Sequence, residues 1–431
     1  MAGRIPWFYA ANLLWPGKLI FIYPRWQIDA AIWWQYLFPS AAITVIVVLW
    51  LLRSRIGRGP LVAVLFFVGS LFPVLGFFDV YMMRYSYVSD HWQYLPSLAL
   101  IVLAATCGSL AASRLGKPGK SIGSVIAIFI LGTFAVLTWQ QTYIYKDLET
   151  LWRDTLAKNP NAGIAHINWG GLLASQGKID EAISHYHQAL KIKPDDPEAL
   201  YNMGTRLFVK GKIDEAISHY RRALQFNPHL AKAHINLGIA LSSQGDGAEA
   251  LSCFRKAIKL NPDNAEAYSN LATELSKQGK VKEAANYFHR ALQINPQYID
   301  AHNNLGHILT MQGKAAEAIP HFRQVVQLNP QHLAAHNSLA WILATHRDAH
   351  IRQPNEALQL AHRACRLTQY KNPSTLDTLS AAYANAGQFD RAINTAQKAI
   401  NLATAAKNQT LADLIKKHLE LYKQGKPYRE P

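Results

Sequence analysis

Apolar residues along the first 140 positions follow one another in runs too long and too uniform for one face of a surface helix. Four such runs, residues 33–52, 61–81, 94–112 and 122–139, are each about helix-length across a bilayer, since roughly 20 residues at 1.5 Å per residue cover ~30 Å of hydrocarbon. They sit close together, with no amphipathic helix between them to cover a buried core. The pattern predicts a transmembrane region over 33–145. Residues 1–32 read differently. Trp7, Phe8, Tyr9, Trp15, Phe21, Tyr23 and Trp26 are interrupted by Pro6, Pro16, Gly17, Lys18, Pro24 and Arg25. This is a poor spanning helix and suits the membrane interface, where aromatic rings collect. No basic stretch followed by a cleavable apolar core opens the chain. The abrupt start suggests the C-terminal part of something longer.

After residue 145 the long apolar runs stop and a repeat begins. Prolines at 160, 194, 228, 262, 296 and 330 are separated by 34 residues each, the period of tetratricopeptide helix–turn–helix units. Glycine recurs at Gly177, Gly211, Gly245, Gly279 and Gly313. A small residue recurs at Ala182, Ala216, Ala250, Ala284 and Ala318, and an aromatic at Tyr186, Tyr220, Phe254, Phe288 and Phe322. Each has a packing reason. Glycine ends helix A, alanine lets helix B approach, the ring fills the groove beside it, and proline stops helix B. A sixth unit begins near Leu333 with an insertion at 346–354, and a seventh spans about 373–402. A final amphipathic helix on Leu411, Leu414, Ile415, His418, Leu419 and Tyr422 covers the last repeat, as a solenoid requires. Residues 146–162 match a half repeat. Neither proline nor glycine lies between Gly132 and Pro160, so one helix from 122 to 158, about 55 Å long, is expected to couple the last span to the solenoid. The fold class is thus all-α: about four transmembrane helices, about seven repeats over 163–402, and a capping helix and tail over 403–431.

Charge refines the picture. The chain has 431 residues, 44 Lys+Arg, 28 Asp+Glu and a net charge of +16. Arg53, Arg55 and Arg58 follow the first span, and Arg114, Lys117 and Lys120 follow the third, with no acid in either loop. By the positive-inside rule these loops are cytoplasmic. The loop near 82–93 and the repeats then face the periplasm of a bacterium or the lumen of the endoplasmic reticulum. The basic residues are spread over many repeats, which argues for anionic lipid or acidic polymer and against nucleic acid. Three cysteines, Cys107, Cys253 and Cys365, form no disulfide framework.

Candidate chemistry is sparse. The sixth residue of each repeat is Asn168, Asn202, Asn236, Asn270 and Asn304, then Ser338. On the concave face, a ladder of carboxamides would bond the C=O and N–H groups of an extended peptide whatever its sequence; the alternative is a solvated or packing polar position. His166, His234, His302 and His336 share the fourth position. One repeat apart, helices lie about 10 Å from each other, too far for a shared metal ion, so these read as groove or packing residues, and no metal site is expected. No nucleotide, protease or esterase fingerprint occurs, and no cofactor is evident. The non-cytoplasmic loop over 79–94 holds Arg84, Asp90, His91 and Tyr94. Ionisable residues at a membrane edge are functional candidates, and Arg84 and Arg25 suit a lipid phosphate. Interfacial anchoring alone accounts for them equally well.

The stretch FIYPRW, the loop YSYVSDHWQYLPS and the repeat array resemble the C-terminal part of transmembrane-and-TPR protein O-mannosyltransferases and their bacterial relatives. The resemblance implies the glycosyltransferase C fold, a polyprenyl- or dolichyl-phosphate sugar donor, and transfer to Ser or Thr of a protein. Arg84, Asp90, His91, Tyr94 and Arg25 would then lie near the donor. The family's catalytic acidic loop would precede residue 1, so no catalytic residue is expected among those present. Two readings stand: the acceptor-binding portion of a membrane glycosyltransferase, and a non-catalytic membrane-anchored scaffold.

Overall fold

The computed structural model describes residues 4–14, 19–20, 22–23, 26, 29, 31–71 and 94–430. Every regular element among them is a helix. The chain forms two compact units, Met1–Pro228 and His229–Pro431.

In the first unit, α1 (Ile5–Leu14) precedes a 3₁₀ turn, Trp33–Tyr36, that leads into α2 (Leu37–Ile56). Then come α3 (Gly59–Ser70), α4 (Tyr94–Arg114) and α5 (Gly116–Ile144). Among the described residues, three stretches are long and apolar enough to cross a membrane: Trp33–Ile56, Leu95–Arg114 and Gly116–Ile144. A fourth was expected over 61–81. Its first part forms α3, 12 residues long, and the remainder lies outside the described residues. Arg53 and Arg55 sit in the last turn of α2, where positive charge complements the helix dipole. α4 and α5 join through Leu115 and Gly116, whose φ of +72° is the left-handed conformation that glycine adopts without a Cβ clash.

The N-terminal segment is more buried than its interface-like composition suggests. Ile5, Tyr9, Ile20 and Tyr23 form a core with Phe67 and Leu71, flanked by Phe8, Trp26, Ala99 and Leu100. Phe8 packs edge-on against both Tyr9 and Tyr23. Arg4 lies over the Trp26 ring, 4.6 Å from its centroid, a cation–π contact.

The expected single helix from 122 to 158 is broken. α5 ends at Ile144, and Tyr145 and Lys146 donate to the carbonyls of Thr142 and Tyr143 at 3.1 and 3.2 Å, tightening the final turn. Asp147 is extended, and its carboxylate accepts from the Thr150 amide at 2.7 Å, capping α6 (Leu148–Lys158). An aspartate N-cap stops one helix and starts the next without proline or glycine. The repeats attach to the N-terminal segment instead. Lys158 Nζ donates to the Leu19 carbonyl at 3.0 Å, and the buried Asn159 amide donates to the Ile22 carbonyl at 3.1 Å.

Two full repeats complete this unit: α7 (Gly163–Ser175) with α8 (Ile179–Ile192), and α9 (Pro197–Val209) with α10 (Ile213–Phe226). The second unit continues the series with α11 (Ala231–Gln244), α12 (Gly247–Leu260), α13 (Ala265–Lys277), α14 (Val281–Ile294), α15 (Ile299–Met311) and α16 (Ala315–Leu328). It closes with α17 (Leu333–Thr345), α18 (Pro354–Leu367), α19 (Pro373–Asn385), α20 (Phe389–Ala405) and the capping helix α21 (Gln409–Lys423). The A–B turn glycines have φ from +74° to +90°, so any other residue there is strained. Acidic residues open the B helices, such as Asp214 and Glu215 in α10, again matching the dipole.

The interlock within a repeat is a ring on a glycine. A Cβ added to Gly204 would lie 2.8 Å from Tyr220 Cε1, and one added to Gly306 would lie 2.8 Å from Phe322 Cζ. Tyr186, Tyr220, Phe254, Phe288 and Phe322 are all fully buried. Gly170, Gly204, Gly238 and Gly306 of helix A, together with the alanines of helix B, set this close approach.

Candidate peptide-binding face

The A helices form a layer of their own: within the first unit α7 packs on α9, and within the second α11 packs on α13, α13 on α15, and α17 on α19. The sixth-position asparagines lie on these helices. Asn168 is exposed, and Asn202, Asn236, Asn270 and Asn304 are half-buried. They do not present equal chemistry. Asn304 Nδ2 donates to Thr273 Oγ1 on the preceding A helix at 3.4 Å, and its oxygen accepts from Asn303 Nδ2 at 3.2 Å. It ties one repeat to the next. Asn270 Nδ2 is buried with no hydrogen-bond partner, so that donor is desolvated without compensation. Threonines and serines accompany the amides: Thr205, Thr273 and Thr310 bond back to their own helices. Val209 and Met311, at the ends of α9 and α15, are 61% and 76% exposed. Such a surface offers main-chain partners with scattered apolar contacts.

A buried carboxylate also joins two A helices. Glu274 of α13, 5% exposed, accepts from Ser242 of α11 at 2.5 Å and from Lys277 at 3.4 Å. Removing Lys277 or Ser242 would leave a buried charge under-satisfied.

The histidines do more than pack, and the sequence reading missed their partners. His166 Nε2 donates to the Pro160 carbonyl at 3.0 Å, and its Nδ1 meets His185 Nδ1 at 2.9 Å. His302 repeats this with Pro296 at 3.0 Å and His321 at 2.8 Å. His336 bonds the Pro330 carbonyl at 3.2 Å. A carbonyl accepts only, so Nε2 of His166, His302 and His336 carries the proton. In the first two Nδ1 is the acceptor, and His185 and His321, each the seventh residue of helix B, donate Nδ1–H; His336 Nδ1 has no hydrogen-bond partner. Burial lowers the pKa of His166 and of His185, and the neighbouring His166 adds to the effect on His185. Burial, then His302 and His289, bring His321 down to about 4 against a pull from Glu317. In α13–α14 the same two positions hold Tyr268 and Tyr287, stacked at 6.2 Å. Among the described residues no three or more His, Cys, Asp or Glu side chains converge as a metal site would need.

Arg25, Arg84, Asp90 and His91 lie outside the described residues, and Tyr94 is described only as the first residue of α4.

Fold and sequence period together define an all-α chain with tetratricopeptide-like helix–turn–helix repeats, preceded by helices of membrane-spanning dimensions. Tetratricopeptide-repeat family profiles match residues 170–208 and 204–245, and residues 231–264, 265–298 and 299–332. Among characterised proteins the chain is similar to human protein O-mannosyl-transferase TMTC1, 31% identical over 140 residues, and to the mouse protein, 29% identical over 113. These matches cover 32% and 26% of the chain but only 16% and 12% of those proteins. The chain therefore spans a small part of the relatives it matches. Solved tetratricopeptide structures also align. YrrB, described as a TPR protein with an unusual peptide-binding site, is 24% identical over 43% of the chain and 96% of its own, with a TM-score of 0.36. The APC/C hetero-tetramer Cut9–Hcn1 is 20% identical over 55% of the chain and 46% of its own, with a TM-score of 0.48.

Proposed function

We propose that this chain is the acceptor-binding portion of a membrane O-glycosylation protein of the TMTC kind. Its repeat domain holds extended polypeptide on the A-helix face while the membrane region meets a polyprenyl-phosphate sugar donor. The similarity to protein O-mannosyl-transferases supports the reaction class. The observation that supports polypeptide binding is the recurrence of a carboxamide at the sixth position of the A helices, Asn168, Asn202, Asn236, Asn270 and Asn304, the first exposed and the others half-buried. A carboxamide pairs with both polar groups of a peptide unit and ignores side-chain identity, which suits an acceptor defined by Ser or Thr rather than by a long motif. The donor half of the proposal rests on resemblance. Arg84 and Arg25 would hold phosphate oxygens, Asp90 and His91 would sit beside them, and Tyr94 would line the edge. The topology that goes with it places the repeats outside the cytoplasm.

The test uses the full chain in detergent micelles. Asn236→Ala with Asn270→Ala should weaken binding of an unstructured Ser/Thr-rich peptide at least about tenfold, each lost hydrogen bond contributing about 1 kcal/mol. Unchanged affinity dismisses the ladder. Arg84→Ala should abolish polyprenyl-phosphate binding. If the wild-type chain binds peptide but no polyprenyl phosphate, the membrane helices only anchor a scaffold.

A further inference from the structure

The sixth repeat departs from the others at its A–B turn. Eight residues, 346–353, join α17 to α18, where three, 312–314, join α15 to α16. In the short turn the chain closes its own helix end: Gly313 and Lys314 donate to the carbonyls of Thr310 and Leu309, both at 2.9 Å. In the long turn, His346 and Gln353 reach the carbonyls of Ile342 and Leu343, each at 3.1 Å. The next two carbonyls, of Ala344 and Thr345, take their donors from far along the chain. Arg429 Nη1 bonds Ala344 O at 2.7 Å, and the Glu430 amide bonds Thr345 O at 2.9 Å.

The same extended segment makes two further kinds of contact. Trp341 Nε1 donates to the Glu430 carboxylate at 2.5 Å. The Tyr428 ring lies 4.2 Å from the His418 ring and 5.8 Å from Trp341, centroid to centroid. Beneath it, His418 Nδ1 pairs with Asp377 at 3.0 Å, both side chains buried, and His418 Nε2 has no hydrogen-bond partner. Every one of these partners belongs to an A helix or to the cap: α17, α19 and α21. Trp341 and Thr345 follow Ser338, the sixth position of this repeat, by three and seven residues. That spacing puts all three on one helix face. The segment thus lies on the face that carries Asn236, Asn270 and Asn304 earlier in this unit.

Main-chain donation to a carbonyl, a stacked tyrosine and a carboxylate on an indole N–H are the contacts by which such a face holds a polypeptide. We propose that residues 426–430 are an internal ligand. They occupy a peptide site formed by Trp341, Thr345 and His418, and a polypeptide with an aromatic–basic–acidic triplet of the Tyr-Arg-Glu kind binds there by displacing them. The inference rests on the peptide-binding reading of the A-helix face. A segment tethered by a few residues has an effective concentration in the millimolar range. A competing peptide of modest affinity is therefore held off about tenfold or more until the segment is released.

The probe is a fluorescein-labelled synthetic peptide, GKPYREP, the sequence of residues 425–431. It is titrated into the full chain in detergent micelles. Tyr428→Ala with Arg429→Ala and Glu430→Ala removes the side chains that hold the segment and vacates the site, and this variant should bind the probe at least about tenfold more tightly than the unaltered chain. Adding Trp341→Phe, which keeps a ring but loses the indole N–H, should reverse much of that gain. Equal binding by the unaltered and vacated chains overturns the proposal. So does no binding by a vacated chain whose α17–α21 amides remain protected from hydrogen exchange, for then the segment is a brace and nothing more. If the vacated variant loses those helices, hydrogen exchange on the unaltered chain decides. Saturating probe should speed exchange of the Glu430 amide, which bonds the Thr345 carbonyl, several-fold, and an unchanged rate overturns the proposal. Asn270→Ala with Asn304→Ala should leave probe binding intact, so failure of the ladder and failure of this site are told apart.

Discussion

Acidification should loosen the His302–His321 repeat ahead of its neighbour. His321 is held neutral chiefly by burial, then by His302 and His289, with Glu317 opposing, and its pKa falls from 6.5 to about 4. In the unfolded chain the ring takes a proton near pH 6.5. Between these values only the unfolded state binds the proton, so the folded state loses stability as pH falls below 6.5, and the loss levels off near 4. At pH 5 the linkage amounts to about 2 kcal/mol for an ideal buried ring. Water at a half-buried one reduces this toward about 1 kcal/mol. Protection of α15 and α16 amides against hydrogen exchange should therefore drop roughly five- to thirtyfold from pH 7.5 to 5 after correction for intrinsic rates. Helix α13 provides the reference, because its Tyr268 stacks on Tyr287 at the equivalent positions and neither ring gains a proton in that range. Replacing His302 and His321 by tyrosine should remove the difference. An equal loss of protection in α13 and α15, or an undiminished loss in the double variant, refutes the reasoning.

Truncating the interlocking ring, Phe322→Ala, should destabilise the second unit by about 3–5 kcal/mol, read from denaturant unfolding followed by Trp341 fluorescence, since Phe322 is fully buried against Gly306. Lys407 ends α20 with φ of +58°. Lys407→Gly should therefore stabilise that helix end by about 0.5–1 kcal/mol, visible as slower exchange of the Lys407 and Asn408 amides, which bond Thr404 and Ala403. The Thr150 amide lowers the pKa of the exposed Asp147 carboxylate, so the cap is present above the ordinary carboxylate range and is lost as pH falls below it. Asp147→Ala should speed exchange at Thr150 at neutral pH without affecting α7.

The 34-residue period was enough to place the repeat helices because each recurring residue has a local job that tertiary context does not override. Gly177, Gly211, Gly245, Gly279, Gly313 and Gly387 all end up left-handed at helix ends. Pair relations were harder to read. His166–His185, Tyr268–Tyr287 and His302–His321 share an offset of 19 residues, and the matched chemistry at that offset is the signal that finds them. The break at Asp147 carries neither proline nor glycine; its signal is an aspartate followed by Glu149 and Trp152, an N-cap in front of an amphipathic turn. Aromatic enrichment in residues 7–26 is ambiguous in principle. Rings at a bilayer interface and rings in a core have the same composition, and only packing shows Tyr9 and Tyr23 buried against α3.

That N-terminal core changes how the membrane region communicates with the first repeat. A continuous helix would transmit torsion along its axis, but three non-helical residues, Tyr145, Lys146 and Asp147, interrupt it. A second connection runs through two main-chain carbonyls, Leu19 and Ile22, held by Lys158 and by the buried Asn159. Asn159 leaves α6 just before Pro160, whose own carbonyl is held by His166. One short stretch, 158–160, thus fixes the N-terminal segment on one side and the first A helix on the other. The segment in turn carries Tyr23 into the core formed with Phe67 of α3. Packed side chains and three hydrogen bonds thus link α3 to α7 by a path separate from the axis of α5.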